Sequence, residues 1–315
     1  MRWKGILAEQ PFISKLLVLA GICLLSMSIC TFLGVMLSSY IFQLDLLTNQ
    51  EILSHYDDAN VIHALKLIQT FSAVGLFIIP SILCCWLFSK APADYIYTTR
   101  WPSVPAALLV VIVLFSVVPL INWLLYLNQQ LALPSFLYNI EQWMKASEQQ
   151  AAELTEAFLK TTSIAGLMVN IVIIALVPAI GEELLFRGVL QRLLSDSMKN
   201  RHLPIILSAV LFSALHMQFY GFFPRMLLGI LFGYFLLWSG TLWLPVIGHF
   251  INNAAAVVFA FYAAKENLPF NQDTIGTQAG DQGYLIASAL ITVACLLLIH
   301  RTTKTYRQHN RVFQE

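Results

Sequence analysis

Residues 163–194 read "SIAGLMVNIVIIALVPAIGEELLFRGVLQRLL". A mostly apolar run leads into two adjacent glutamates, Glu182 and Glu183, and Arg187 follows one helical turn later. A helix that crosses a hydrocarbon core needs about 20 mostly apolar residues, and this stretch supplies them. Ionisable groups inside such a helix cost several kcal/mol and face protein or a wet cavity rather than lipid. The stretch therefore predicts a transmembrane helix with a polar purpose.

The rest of the chain agrees. Of 315 residues, 58% are hydrophobic and only 11% charged, where a soluble domain carries about 25% charged residues. The composition predicts an all-α, polytopic transmembrane bundle of about eight spans: 14–41, 63–89, 104–127, 163–194, 203–220, 224–239, 241–264 and 283–300. The first apolar run extends from Phe12 to Phe42, too long for a signal peptide's apolar region, and is expected to be a retained helix. The five cysteines lie in apolar runs and read as small buried hydrophobes. A net charge of +1, with no basic stripe, excludes a nucleic-acid footprint.

Charged flanks orient the bundle. Arg2, Lys4, Lys15, Lys90, Arg100, Arg192, Lys199, Arg201, Arg301, Lys304, Arg307 and Arg311 fall on one side if the eight spans alternate, and Glu51, Asp57, Asp58, Asp273 and Asp281 on the other. The positive-inside rule then places both termini in the cytoplasm of a multi-pass cell-membrane protein; Arg225 is an exception on the outer side. Segment 128–162 is too polar to span. Phe136, Ile140, Trp143, Met144, Ala151, Leu154 and Phe158 recur at helical spacing, which predicts an extracytoplasmic amphipathic helix, with Ser135 as its cap, lying on the membrane or packed on the protein. The chain divides into an N-terminal three-helix region (1–127), this amphipathic segment (128–162), a core carrying the polar clusters (163–300) and a basic cytoplasmic tail (301–315).

Three apolar segments carry polar clusters: Glu182, Glu183 and Arg187; Phe212 and His216 in "FSALH"; His249 and Asn253 in "HFINN". Glu183 and Arg187 are four apart and pair on one face. Glu182 points about 100° away. His249 and Asn253 share a face, with Asn252 turned from it. Burial makes a carboxylate a stronger base, able to draw a proton from water, and His216 is placed to hold that water or share its proton. Hydrolysis of an amide also develops charge on the carbonyl oxygen, which N–H donors from His249 and Asn253 stabilise by about 3–4 kcal/mol per well-aimed donor. Each cluster alone also reads as structural: a buried ion pair, a helix-packing histidine, an interhelical polar contact. Two histidines and a glutamate suit zinc with an open position, but no H-E-x-x-H occurs. Buried glutamates and histidines also build transporter proton relays, though no inverted repeat is present.

Together the motifs resemble those of a known family. Glu182–Arg187, "EELLFR", matches EExxxR; Phe212–His216 matches FxxxH; His249–Asn253 matches HxxxN. This pattern is similar to the CPBP, or Abi, intramembrane glutamic endopeptidases, a group that includes type II CAAX prenyl proteases. The resemblance covers roughly residues 163–264. It implies an eight-helix membrane fold with a polar cavity and no metal or other cofactor. It implies Glu182 as the base on water, His216 assisting, and His249 and Asn253 as the oxyanion hole. Glu183 and Arg187 would support the site and Phe212 would pack beneath it. The implied substrate is a membrane-associated peptide or protein, lipidated or not; the family's alternative role is a noncatalytic scaffold or bacteriocin-immunity protein. Helix rise places His216 about 20 Å, and His249 about 12 Å, from the cytoplasmic starts of their helices. Convergence therefore calls for tilts or bends, which Pro178, Gly181, Pro245 and Gly248 permit.

Overall fold

A computed structural model describes residues 3–268, 275–278 and 280–312, without the side chains of Gln50 and 306–312. Arg2, Asp273 and the last three residues of the basic tail lie outside the described residues, as do the side chains of Arg307 and Arg311. No strand occurs among the described residues. The principal helices are α1 (Phe12–Phe42), α2 (Ala59–Phe88), α3 (Val104–Ser116), α4 (Val118–Gln129), α5 (Tyr138–Leu159), α6 (Ile164–Ser197), α7 (Leu203–Ala214), α8 (Phe222–Ser239), α9 (Trp243–Lys265) and α10 (Gln282–Val312).

Six helical stretches among the described residues are long and apolar enough to cross a membrane, and α3 with α4, bent by 43°, adds a seventh if the pair forms one broken span rather than a re-entrant loop. The protein is therefore an all-α, polytopic membrane bundle. The expected fifth span, 203–220, is shorter than its sequence suggests. α7 stops at Ala214 after 12 residues, about 18 Å of rise. The sixth is longer, because a 3-10 turn, Phe219–Gly221, continues into α8. Ser135 does not cap α5; it opens a 3-10 turn, Ser135–Leu137, and the helix begins at Tyr138.

The chain forms two compact units. The first comprises residues 1–96, 153–199 and 253–268. Here α1 runs along α2, and small residues set the approach: a Cβ on Gly34 would meet the Phe71 side chain at 3.0 Å, and one on Gly75 would meet the Ser26 carbonyl at 2.6 Å. Ser26 Oγ donates to the Gly75 carbonyl at 2.6 Å, and the Thr31 and Ser72 hydroxyls pair at 2.8 Å. Small residues and hydroxyl contacts are what bring helices together where lipid offers no hydrophobic drive. α2 contains a π-helical turn, Val74–Ile78, ahead of Pro80, and α6 contains two, Ile171–Leu176 and Leu184–Leu190. α6 packs on the wide turn of α2, where a Cβ on Gly181 would meet Phe77 at 3.0 Å.

The second unit comprises residues 97–152, 200–252 and 269–315. Its core is built on Val110, Val113, Phe232, Phe235, Leu244 and Ile299. Pro119 interrupts the hydrogen-bond ladder between α3 and α4. The Ser116 carbonyl at this break accepts from Ser288 Oγ on α10 at 2.6 Å. Gly240, left-handed at φ 66°, closes α8 with a bond from its N–H to the Leu236 carbonyl at 2.8 Å and turns the chain into α9. On α5, Glu141 and Lys145 pair at 2.7 Å, and the carboxylate's hydrogen bond and charge raise the lysine pKa.

Candidate active site

In the first unit, Glu182 and Glu183 end an α-helical stretch, and the π-helical turn that carries Arg187 follows. Arg187 Nη1 donates to Glu183 Oε1 at 2.8 Å, with both side chains 0% exposed. The expected pair is thus present. Taking two charges out of water costs several kcal/mol each, so their mutual attraction must compensate. Phe186 packs toward Phe77, centroids 6.3 Å apart, and a Cβ on Gly188 would touch Ile96 at 3.3 Å. Glu182 is 8% exposed, against none for Glu183.

Asn253 is held by the same helix. Pro178 has no N–H, so the Ile174 carbonyl lacks the donor that an α-helix would supply from that position. Asn253 Nδ2 donates to this carbonyl at 3.3 Å. An amide nitrogen carries two hydrogens, and this contact uses one of them.

In the second unit, His216 lies beyond the last residue of α7, on an exposed turn, and not within a span as its sequence suggests. Its Nδ1 is 2.7 Å from the Phe212 carbonyl. A carbonyl only accepts, so Nδ1 carries the hydrogen, and in the neutral ring Nε2 is the basic nitrogen. His249 is buried at 5% exposure. It stacks on Phe232 at 5.2 Å and 19°, and meets the edge of Phe212 at 5.9 Å and 84°. Phe212 in turn lies 5.0 Å from the His216 ring, so one aromatic side chain touches both histidines. Two glycines make room. A Cβ on Gly229 would meet Phe212 at 3.3 Å, and one on Gly248 would meet Phe232 at 3.3 Å.

The seven expected residues therefore form two local groups, Glu182 with Glu183 and Arg187, and His216 with Phe212 and His249; Asn253 lies one turn beyond His249 along α9. Among the described residues no group of three His, Cys, Asp or Glu side chains is arranged to hold a metal ion.

A further ionisable group in a spanning helix carried no motif in the sequence. Lys66 on α2 is 7% exposed; its Nζ donates to Asn170 Oδ1 at 2.8 Å and lies 5.6 Å from the Phe158 ring. Asn170 Nδ2 donates to the Phe158 carbonyl at 2.9 Å. Lys66 and Asn170 together hold the last turn of α5, which itself belongs to the first unit. The signal of Lys66 was a lone cation in an apolar run, without the neighbouring carboxylates that marked Arg187.

Residues 164–255 match the family model described as type II CAAX prenyl endopeptidase Rce1-like. The match begins at the first residue of α6, covers under a third of the chain and contains all seven residues. The comparisons with curated proteins and with solved structures return no match.

Proposed function

We propose, from a segment that is Rce1-like over residues 164–255, that the protein is an intramembrane endopeptidase acting on a membrane-associated peptide or protein. Glu182 takes a proton from a water molecule, and the resulting hydroxide attacks the scissile carbonyl. N–H donors from His249 and Asn253 receive the charge that develops on the carbonyl oxygen. The tetrahedral intermediate collapses, the C–N bond breaks, and the leaving amine takes the proton held by Glu182. His216, with Nδ1–H fixed by the Phe212 carbonyl, offers Nε2 to orient the water. Glu183 is held in its ion pair with Arg187, and Glu182, the more exposed of the two carboxylates, acts as base. No metal or other cofactor takes part.

The observation that carries this reading is the buried Glu183–Arg187 pair next to Glu182 in a segment that is Rce1-like. The test is cleavage of fluorogenic membrane peptides, with and without a lipidated cysteine, by purified protein in bilayer discs. Glu182→Gln is expected to lose about 100-fold or more in kcat, and a strong chelator to change nothing. Wild-type rates from Glu182→Gln would overturn the mechanism.

A noncatalytic scaffold or immunity role is the second reading. It is favoured by the structural contact of Asn253 with Ile174. Under it, wild type cleaves none of the peptides and a Glu182→Ala, His249→Ala double variant keeps its partners. The charge flanks support a cell-membrane location with both termini cytoplasmic, an arrangement that requires an even number of crossings, so that the short α7 and the bent pair α3–α4 either both cross or both do not.

A further inference from the structure

The turn that carries His216 is conformationally costly. Met217, the next residue, sits at φ 54°, a region that a non-glycine residue occupies only when its surroundings impose it. Four groups of the second unit hold the residues that follow it. Arg225 Nη2 donates to Gln218 Oε1 at 2.6 Å. Glu148 Oε2, on α5, accepts from the Tyr220 N–H at 3.3 Å, and Trp143 packs on Phe219 with centroids 5.2 Å apart. The deepest is Asn128, near the end of α4 and 4% exposed. Its Nδ2 donates to the Phe219 carbonyl at 2.9 Å, and its Oδ1 accepts from the Phe223 N–H at 3.1 Å.

We propose that Asn128 is a positioning residue for His216, a role that rests on the function proposed above. The amide bonds both sides of the 3-10 turn Phe219–Gly221, through which the left-handed Met217 is joined to α8. A side chain with a donor at one end and an acceptor at the other is required, and at this length asparagine provides it. Aspartate is the same size but sets an oxygen against the Phe219 carbonyl. The turn then loses its inner anchor, and His216 loses the fixed direction of its Nε2. Glu148 and Trp143 extend the same control to the amphipathic helix.

The test uses full-length protein in bilayer discs, with Asn128→Asp, Glu148→Ala and, as control, Asn122→Asp. Asn122 is also buried on α4, but its amide donates to the Ile275 carbonyl and not to the Phe219–Gly221 turn. Two readouts apply: the imidazole nitrogen resonances of His216, assigned by their loss in His216→Ala, and the division of peptide cleavage between kcat and KM. Asn128→Asp is expected to shift or broaden the His216 resonances. It should lower kcat about 100-fold at unchanged KM and add no loss in a His216→Ala background. Glu148→Ala, on an extramembrane helix, should give a smaller change of the same kind even where Asn128→Asp fails to fold; Asn122→Asp should leave the His216 signals in place. Unmoved His216 resonances in both test variants, or a loss that adds in full to that of His216→Ala, would overturn the proposal. A wild-type protein that cleaves nothing would defeat the protease reading alone, because the resonances still report whether Asn128 orients the ring.

Discussion

Glu182 and Glu183 are neighbours with different surroundings, and their substitution should separate stability from chemistry. Glu183→Ala leaves the Arg187 guanidinium without its carboxylate in a fully buried position, which should cost about 3–5 kcal/mol. Replacing both partners with apolar residues, Glu183→Met with Arg187→Leu, should recover part of that loss, because the buried guanidinium is removed together with its partner. Denaturant unfolding in detergent checks both outcomes; a Glu183→Ala variant as stable as wild type would show that the pair is not a structural element. The pairing itself was legible at i, i+4 spacing. The Asn253–Ile174 contact was not, since it joins residues 79 positions apart. Asn128 was hidden for the same reason: its partners lie 91 and 95 residues away, and one amide at the end of an apolar run has no periodicity to betray it.

At the level of the element, α6 depends on a defect. Pro178 withholds a donor from the Ile174 carbonyl, and Asn253 supplies one. Pro178→Ala should restore the helix's own bond, and the cost of Asn253→Ala should then fall in that background. A double-mutant cycle measured by unfolding should give a coupling of about 0.5–1.5 kcal/mol; a coupling of zero would mean that the amide does not serve the proline. The sequence marked Pro178 and Gly181 as places where α6 could bend, but not the wide turns themselves. Hydrophobic periodicity reports which face is apolar, and α6 is apolar around most of its circumference, so a local change of pitch leaves no mark. The break of α7 at Ala214 was equally silent: "HMQFY" continues apolar character through residues that leave the helix. α5 was legible because its polar face contrasts with its apolar one.

For the whole molecule, composition was decisive: an 11% charged chain leaves a membrane bundle as the economical fold, and the described residues supply six or seven helices of spanning length. The count was less legible than the class, because α7 is short and α3 and α4 are bent. Topology rests on the charge flanks, and Arg225 is the exception among them. Its guanidinium is held by the Gln218 side chain, so it serves a loop rather than the membrane potential. Tags at the two termini should therefore both be shielded from external protease in intact cells, and Arg225→Ala should leave that pattern unchanged; a digested tag at either end would contradict the proposed orientation.

The wide turns have a consequence of their own. Each admits about one residue more than an α-turn and advances the helical stripe by about 100°. α2 is stepped once and α6 twice, so Ile164–Asn170 and Gln191–Ser197 follow one continuous helix with their angular phases out of step. Loss of a single amino acid inside a wide turn would cancel one offset without severing the helix, a tolerance to change in length that an unbroken α-helix does not possess.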